Sequence, residues 1–302
     1  MKRLPTMKQL QYLVALADTQ HFGRAAQRCY ITQSTLSAGI RDLESVLGTA
    51  VAERSNRHVL MTNAGLQIAE RAKAVLREAG ELMEVARADR SPMAGEMHLG
   101  VIPTIGPFVL PRVFPVLRER FPGLTIYLRE EQSAPLLARL EDGELDVALI
   151  ALPYDTEDLR IDIIMEDEFL FACNRNHPLA GADEVSLDAL VGEQLMLLEE
   201  GHCLRGHTLD VCSTGDKRAR AQFEASSLHT LVQMVAAGIG VTLIPRLALD
   251  ADITQGTDIS LSRLGVAAYR QIALAWRQTS LKTEDYRLLA TTLRELTRCG
   301  VN

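Results

Sequence analysis

Ile68, Ala72, Val75, Ala79, Leu82 and Ala86 follow one another at spacings of 4, 3, 4, 3 and 4, which makes a heptad seam along one long helix. Small side chains alternating with larger ones permit close approach of a second helix, so the seam predicts a dimer; a lone helix packed on its own domain is the alternative. Ser91-Pro92 and Gly95 then end the helix and predict a hinge. A chain divided in this way has a module before the helix and a body after it.

In the module, Leu10, Leu13, Val14 and Ala17 follow the i, i+3, i+4, i+7 rule, as do Phe22, Ala25, Ala26 and Cys29. Two short amphipathic helices are predicted, with Cys29 packed on an apolar stripe. A third begins at Thr32 as N-cap and runs through Leu36, Ile40, Leu43 and Leu47 to Gly48, which suits the left-handed position after a helix end. Only Tyr30-Ile31-Thr32 joins the second helix to the third, the connection of a helix-turn-helix. The third helix presents Gln33, Ser34, Thr35, Ser37 and Arg41. Gln pairs with adenine and Arg with guanine or phosphate, so this face suits double-stranded DNA; an ordinary solvated face is the alternative. Ala52 to Leu60 alternates and turns like a hairpin wing, from which Arg54 and Arg57 would meet phosphates or the minor groove.

Charge follows the same division. The chain carries −7 overall, yet residues 1–90 hold 13 Lys and Arg against 9 Asp and Glu, and the remainder 19 against 30. A basic module that touches phosphates is joined to an acidic body that does not. The 302 residues, 47% hydrophobic, suffice for proper cores in two or three domains. No apolar run approaches the roughly 20 residues of a membrane span, and the N-terminal stretch lacks a signal peptide's cleavage pattern, which predicts a cytoplasmic protein without membrane partners.

Beyond Gly95, strand-like runs alternate with helical ones: 97–102, a helix closing near Arg120, 124–128, a helix around 136–140, then 147–151. The alternation predicts a mainly parallel sheet with helices on both faces. Runs 163–172 and 194–198 read as strands of a second lobe, 241–244 and 272–276 as further strands, and 228–237 and 286–296 as helices. Pro103 to Pro107 falls where a strand ends and a helix opens, a common ligand position in α/β sheets. Thr104 would offer a hydroxyl there, or serve as a simple N-cap. Cys173 reads as buried, and Cys299 as incidental near the terminus.

His202-Cys203-Leu204-Arg205, followed by Cys212, is the clearest chemical signal in the body. A thiolate is favoured beside cations and at helix N-termini, and Arg205 and His202 stand next to Cys203. A helix beginning near Leu204 would put Cys203 at its N-terminal lip and Cys212 about 13 Å away. A disulfide needs Cα atoms within about 4.4–6.8 Å, so joining the two would require local refolding, as in a redox sensor. Two unrelated thiols are one alternative, and a zinc site drawing on Cys203, His207, His202 and Cys212 is another. That spacing matches no common zinc module, so neither a metal nor another cofactor is expected. Five cysteines, an odd number thinly spread, do not form a secreted disulfide framework.

Phe22, Ala25, Ala26, Gln33, Ser37, Leu43, Glu44, Gly48, Arg54, Thr62 and Gly65 stand at the spacing of LysR-type transcriptional regulators, which the chain resembles along essentially its whole length. Gly201 to Arg205, Val101 to Pro107 and Ala225 to Leu228 resemble the peroxide-sensing members of that family. The resemblance implies an all-α winged helix-turn-helix domain over 1–62 and a dimerising linker helix over 63–90. An α/β two-lobed regulatory domain, like a type II periplasmic binding protein, would fill 91–302, with lobe I from 96–166 and 270–302 and lobe II from 167–269. It further implies that Cys203 is oxidised by hydrogen peroxide and resolved by Cys212 to a disulfide, while Thr104, Ser133, His202 and Arg205 hold the peroxide and Arg270 is a supporting cation. The implied partners are promoter DNA, further copies in a dimer and tetramer, RNA polymerase, and thioredoxin or glutaredoxin as reductants.

Three positions depart from the family pattern. Gly206 stands where Asp often follows the motif's arginine, Ser133 where Thr is frequent, and Ala50-Val51-Ala52 where the wing usually carries Leu-Phe. A regulator of the same family answering a small organic effector in the interlobe cleft is the rival reading. An enzyme, a thiol peroxidase with an accessory domain, is a third.

Overall fold

The computed structural model describes residues 4–54, 59–85, 92–212 and 224–298, and the chain separates into two compact units, residues 1–89 and 90–302. Arg57, Ala86 and Cys299 lie outside the described residues, as do the side chains of Arg54 and Cys212.

The first unit comprises α1 (Met7–Thr19), α2 (Phe22–Arg28), α3 (Gln33–Leu47), the hairpin β1 (Ala52–Arg54) and β2 (Val59–Met61), and α4 (Asn63–Val85). Local chemistry sets the ends. Thr6 and Gln9 form a capping box at the start of α1, His21 Nδ1 accepts from the Gly23 and Arg24 amides to open α2, and Thr32 caps α3. Leu10, Leu13, Leu16, Ala25, Leu36, Ile40 and Leu43 meet in one apolar core. The wing is tied to it by residues of the family fingerprint: Glu44 Oε1 accepts from the Val51 amide at 2.9 Å, and Thr62 Oγ1 donates to the Ala50 carbonyl at 2.9 Å. Gly65 permits the approach, since a Cβ there would lie 2.0 Å from the Val51 carbonyl oxygen. Val51 and Ala52, the altered wing residues, are buried in the same core. Cys29 caps α2 and packs against that core, where burial raises its thiol pKa against the lowering influence of Arg28.

The second unit runs β3 (Gly95–Val101), α5 (Gly106–Arg120), β4 (Leu124–Glu130), α6 (Ser133–Glu141), β5 (Val147–Leu152), β6 (Leu159–Asn174), β7 (Glu184–Val185), β8 (Leu197–Leu198), α7 (Cys203–Cys212), β9 (Glu224–Ala225), α8 (Leu228–Ala236), β10 (Thr242–Pro245), α9 (Arg246–Leu249), β11 (Ile259–Leu264), β12 (Tyr269–Arg277) and α10 (Thr283–Arg298). The main sheet has the order β4-β3-β5-β12-β6-β11-β7, with β10 also on β6, and β8 pairs β9 separately. It is mixed where the sequence reading expected a mainly parallel sheet. β3, β4 and β5 are parallel, but β6 passes through both halves of the unit and the chain returns along it antiparallel, first as β10, then as β11 and last as β12. Bends and a turn over 153–158, with no helix, join β5 to β6, and the last strand fills the space between them. The 194–198 run is shorter than expected, β8 being two residues beside an isolated bridge from Leu195 to Val241. Cys173 is wholly buried, and burial together with Glu193 holds its thiol above the usual range. Among the described residues no helix is long and apolar enough to cross a membrane.

Candidate functional site

The carboxyl ends of the parallel strands β3, β4 and β5 release the chain at one edge of the sheet, and Thr104, Ser133 and Pro153-Tyr154 follow them. That edge is where an open α/β sheet receives ligands. Arg270 arrives at the same edge, because β12 runs antiparallel to β5 and pairs Gln271 with Leu152. Its side chain is wholly buried. Its Nε donates to Asp167 Oδ2, one terminal nitrogen to Thr104 Oγ1 and the other to the Thr104 carbonyl, each at 2.9 Å. Thr104 therefore receives the arginine directly rather than capping α5, whose N-cap is Ile105.

The segment that carries Cys203 approaches through a glycine turn. Gly201 has φ +96, and a Cβ there would lie 2.2 Å from Gln132 Oε1. Gln132 is the N-cap of α6, immediately before Ser133, and its amide donates to the Glu200 carbonyl at 3.3 Å. The start of α6 and the turn before α7 are thus docked together. Cys203 is the first residue of α7, half-buried against the main core, and Cys212 the last. At helical rise their separation is about 13 Å, beyond the roughly 4.4–6.8 Å a disulfide spans.

His202 is buried, with Nε2 3.8 Å from Glu199 Oε1. Burial lowers its pKa below the ordinary imidazole value, opposed by Glu199 and by a hydrogen bond with the Ser226 backbone. Arg205 donates to the Leu198 carbonyl at 3.0 Å and to Glu224 Oε1 at 2.8 Å, which fastens the first turn of α7 to β8 and β9. Its charge is shared with a carboxylate instead of being reserved for Cys203.

Sequence reasoning missed Asp167, Gln132 and Tyr154. Asp167 anchors Arg270 and accepts from the Leu247 amide at 2.9 Å. Tyr154 is half-buried; burial, then neighbouring Cys203 and Asp155, holds its phenol above the usual tyrosine range. Asp167 lies within the acidic run Glu166-Asp167-Glu168, where no local pattern sets it apart, and the other two had no signal either. Among the described residues no cluster of His, Cys, Asp and Glu is placed to hold a metal ion.

In the first unit Gln33, Ser34, Thr35 and Arg41 are exposed along α3 and Ser37 is half-buried, with Arg41 donating to Ser37 Oγ at 3.3 Å. Thr32 Oγ1 also contacts the hydroxyls of Ser34 and Thr35. The seam of α4 divides. Ala72 is buried and Ile68 half-buried on the domain's own core, whereas Val75 and Leu82 are 44% and 71% exposed and Ala79 is intermediate.

A helix-turn-helix unit followed by an α/β unit with a polar site at its strand ends defines a class of two-domain bacterial regulator. Residues 7–66 match the bacterial regulatory helix-turn-helix protein, lysR family, and residues 90–298 match the LysR substrate binding domain. The chain belongs to the LysR family of transcriptional regulators. It is 40% identical to the DNA-binding transcriptional dual regulator OxyR of Escherichia coli (strain K12), over 95% of this chain and 94% of that protein. It is 38% identical to the HTH-type transcriptional regulator EstR of Acinetobacter baylyi, over 98% and 99%. A full-length OxyR cysteine-to-aspartate variant from Pseudomonas aeruginosa superposes with a TM-score of 0.76 at 34% identity, covering 96% of this chain and 98% of that one. A hydrogen-peroxide-bound OxyR cysteine-to-serine variant from Corynebacterium glutamicum gives 0.67 at 33%, covering 100% and 95%.

Proposed function

We propose that this regulator senses hydrogen peroxide through Cys203 and answers by altering its grip on promoter DNA. The observation that carries the reading is the placement of Cys203 and Cys212 at the two ends of one helix, α7, which opens against a turn clamped by Gln132. The Cys203 thiolate attacks peroxide to give a sulfenic acid, and the Cys212 sulfur then bonds to that sulfur, expelling its hydroxyl as water to leave a disulfide. Closing the disulfide demands that α7 unwind, so oxidation and conformational change are one event. Moving such a balance from 1:99 to 99:1 takes about 5.5 kcal/mol, or roughly 120 mV for a two-electron couple. A disulfide strained by that amount stays within reach of thioredoxin or glutaredoxin.

In this reading the chain works in the cytoplasm as a regulator of oxidative-stress genes, not as an enzyme. Residues 1–62 read DNA through Gln33, Ser34, Thr35, Ser37, Arg41, Arg54 and Arg57, and 63–90 pair two copies. Exposed Val75 and Leu82 support that pairing. Two dimers make a tetramer that contacts RNA polymerase. Thr104, Ser133, His202, Arg205 and Arg270 form the peroxide site, and the passage between lobes falls where β6 changes partner from β12 to β10 and β11, near Glu168 and Phe169.

The test exposes parent and Cys203→Ser to stoichiometric peroxide, maps disulfides by peptide mass and footprints a candidate promoter in parallel. A Cys203–Cys212 peptide and a changed footprint in the parent alone are expected. An unchanged parent footprint sinks the reading. A Cys203→Ser protein that still answers its inducer points instead to an organic effector in the cleft.

A further inference from the structure

His207 lies one turn beyond Cys203 on the same side of α7. It is 7% exposed, with its ring tilted against Phe169 at a centroid distance of 6.2 Å. Its Nε2 is 3.5 Å from the Pro153 carbonyl oxygen. A carbonyl only accepts, so Nε2 carries the hydrogen and Nδ1 of the neutral ring holds a lone pair. Nδ1 is buried and has no hydrogen-bond partner among the described residues, an arrangement disfavoured unless something supplies a donor.

The surroundings indicate what that donor is. Arg270, from β12, acts electrostatically on the ring and is itself bound to Thr104 and Asp167. Asp210 faces it from α7, and Tyr154, next to Pro153, lies beside Cys203. The adjoining pair Pro153-Tyr154 thus meets both side chains, Pro153 bonding the His207 ring and Tyr154 interacting electrostatically with Cys203.

We propose that His207 is a further substrate-contacting residue of the Cys203 site, its Nδ1 accepting a hydrogen bond from an O–H of hydrogen peroxide. This rests on the peroxide reading above and adds a residue to it. In the reaction the thiolate sulfur bonds to one peroxide oxygen, the O–O bond breaks, and hydroxide leaves with the electron pair and takes a proton from solvent. Sulfur is oxidised by two electrons and the peroxide reduced by two. His207 gains and loses no proton; it fixes which oxygen faces the sulfur. It must be neutral to accept, and burial keeps it so, with Arg270 acting in the same sense against the Pro153 bond and Asp210.

The test uses the full chain carrying Cys212→Ser, so that the sulfenic acid persists, and follows its formation by chemical trapping between about pH 5 and pH 8. His207→Leu is expected to react about tenfold more slowly near neutrality, the worth of one hydrogen bond, with the deficit narrowing in acid as the parent's imidazole protonates. His207→Gln, whose side-chain oxygen restores an acceptor, is expected to stay within about threefold of the parent. Leu and parent profiles that superimpose overturn the inference, as do Leu and Gln variants equally slowed at every pH, which would make His207 a packing residue of α7. A parent that forms no sulfenic acid overturns the peroxide reading, and this one with it.

Discussion

Asp167 and Arg270 stand opposite each other in the β6–β12 register and form an ion pair at 2.9 Å with both side chains fully buried. The remaining guanidinium nitrogens reach Thr104 and the remaining carboxylate oxygen reaches Leu247, so one pair fastens the end of β3 to β6, β12 and α9.

Removing one partner strands the other charge. Asp167→Ala is expected to destabilise the second unit by about 3–5 kcal/mol, because a buried arginine loses its counter-charge. The single tryptophan, Trp276, is buried in that unit and reports the shift in urea midpoint.

Gly201→Ala would force a left-handed residue to carry a Cβ into Gln132. The backbone strain alone is about 1–2 kcal/mol, so the turn should move away from α6. Trapping rates for Cys203 with peroxide should fall while urea unfolding changes little beyond that amount.

Gly206→Ala should act in the opposite sense. Among the described residues, no atom beyond its chain neighbours and its own helix backbone lies within 4 Å of a Cβ built there, so alanine stabilises α7 by about 0.5–1 kcal/mol. If the disulfide requires α7 to unwind, stabilising the reduced helix raises the midpoint potential by about 10–20 mV, measurable in glutathione buffers.

Acid should loosen the second unit. His202 and His207 are both held below the ordinary imidazole value by burial. The unfolded chain therefore binds protons that the folded chain refuses, and this stability, complete above about pH 6.5, declines as pH falls through the unfolded value towards the folded ones. Urea midpoints taken from neutral to mildly acidic pH should drop more steeply in the parent than in a His202→Asn, His207→Gln double variant.

Gly65→Ala should disturb the wing, since its Cβ meets the rigid Val51 backbone rather than a flexible side chain. A loss of about 1–3 kcal/mol is expected for the first unit, with weaker promoter affinity in a mobility-shift titration.

Much of the fold was legible because periodicity reports burial. The Leu10 and Leu36 stripes, the Thr32 cap and the Gly48 terminus are local, and each formed where its spacing placed it. β11 was missed although Ile259-Ser260-Leu261 alternates, because a short run between turn residues resembles a loop. The seam was read as a single surface, but the core of the first unit claims Ile68 and Ala72 while Val75 and Leu82 remain outside.

The sequence alone determined how far apart along a helix Cys203 and Cys212 must lie, since rise and spacing are properties of the local backbone. It also determined the two-part plan, through charge and the break after the seam. Only the tertiary structure decided what those groups face: that Arg270 is held by Asp167 and Thr104, that Arg205 is turned to Glu224, and that His207 is buried with an acceptor unfilled. Those contacts join residues as many as 166 positions apart, and no local pattern specifies which polar groups will meet when a sheet closes around them.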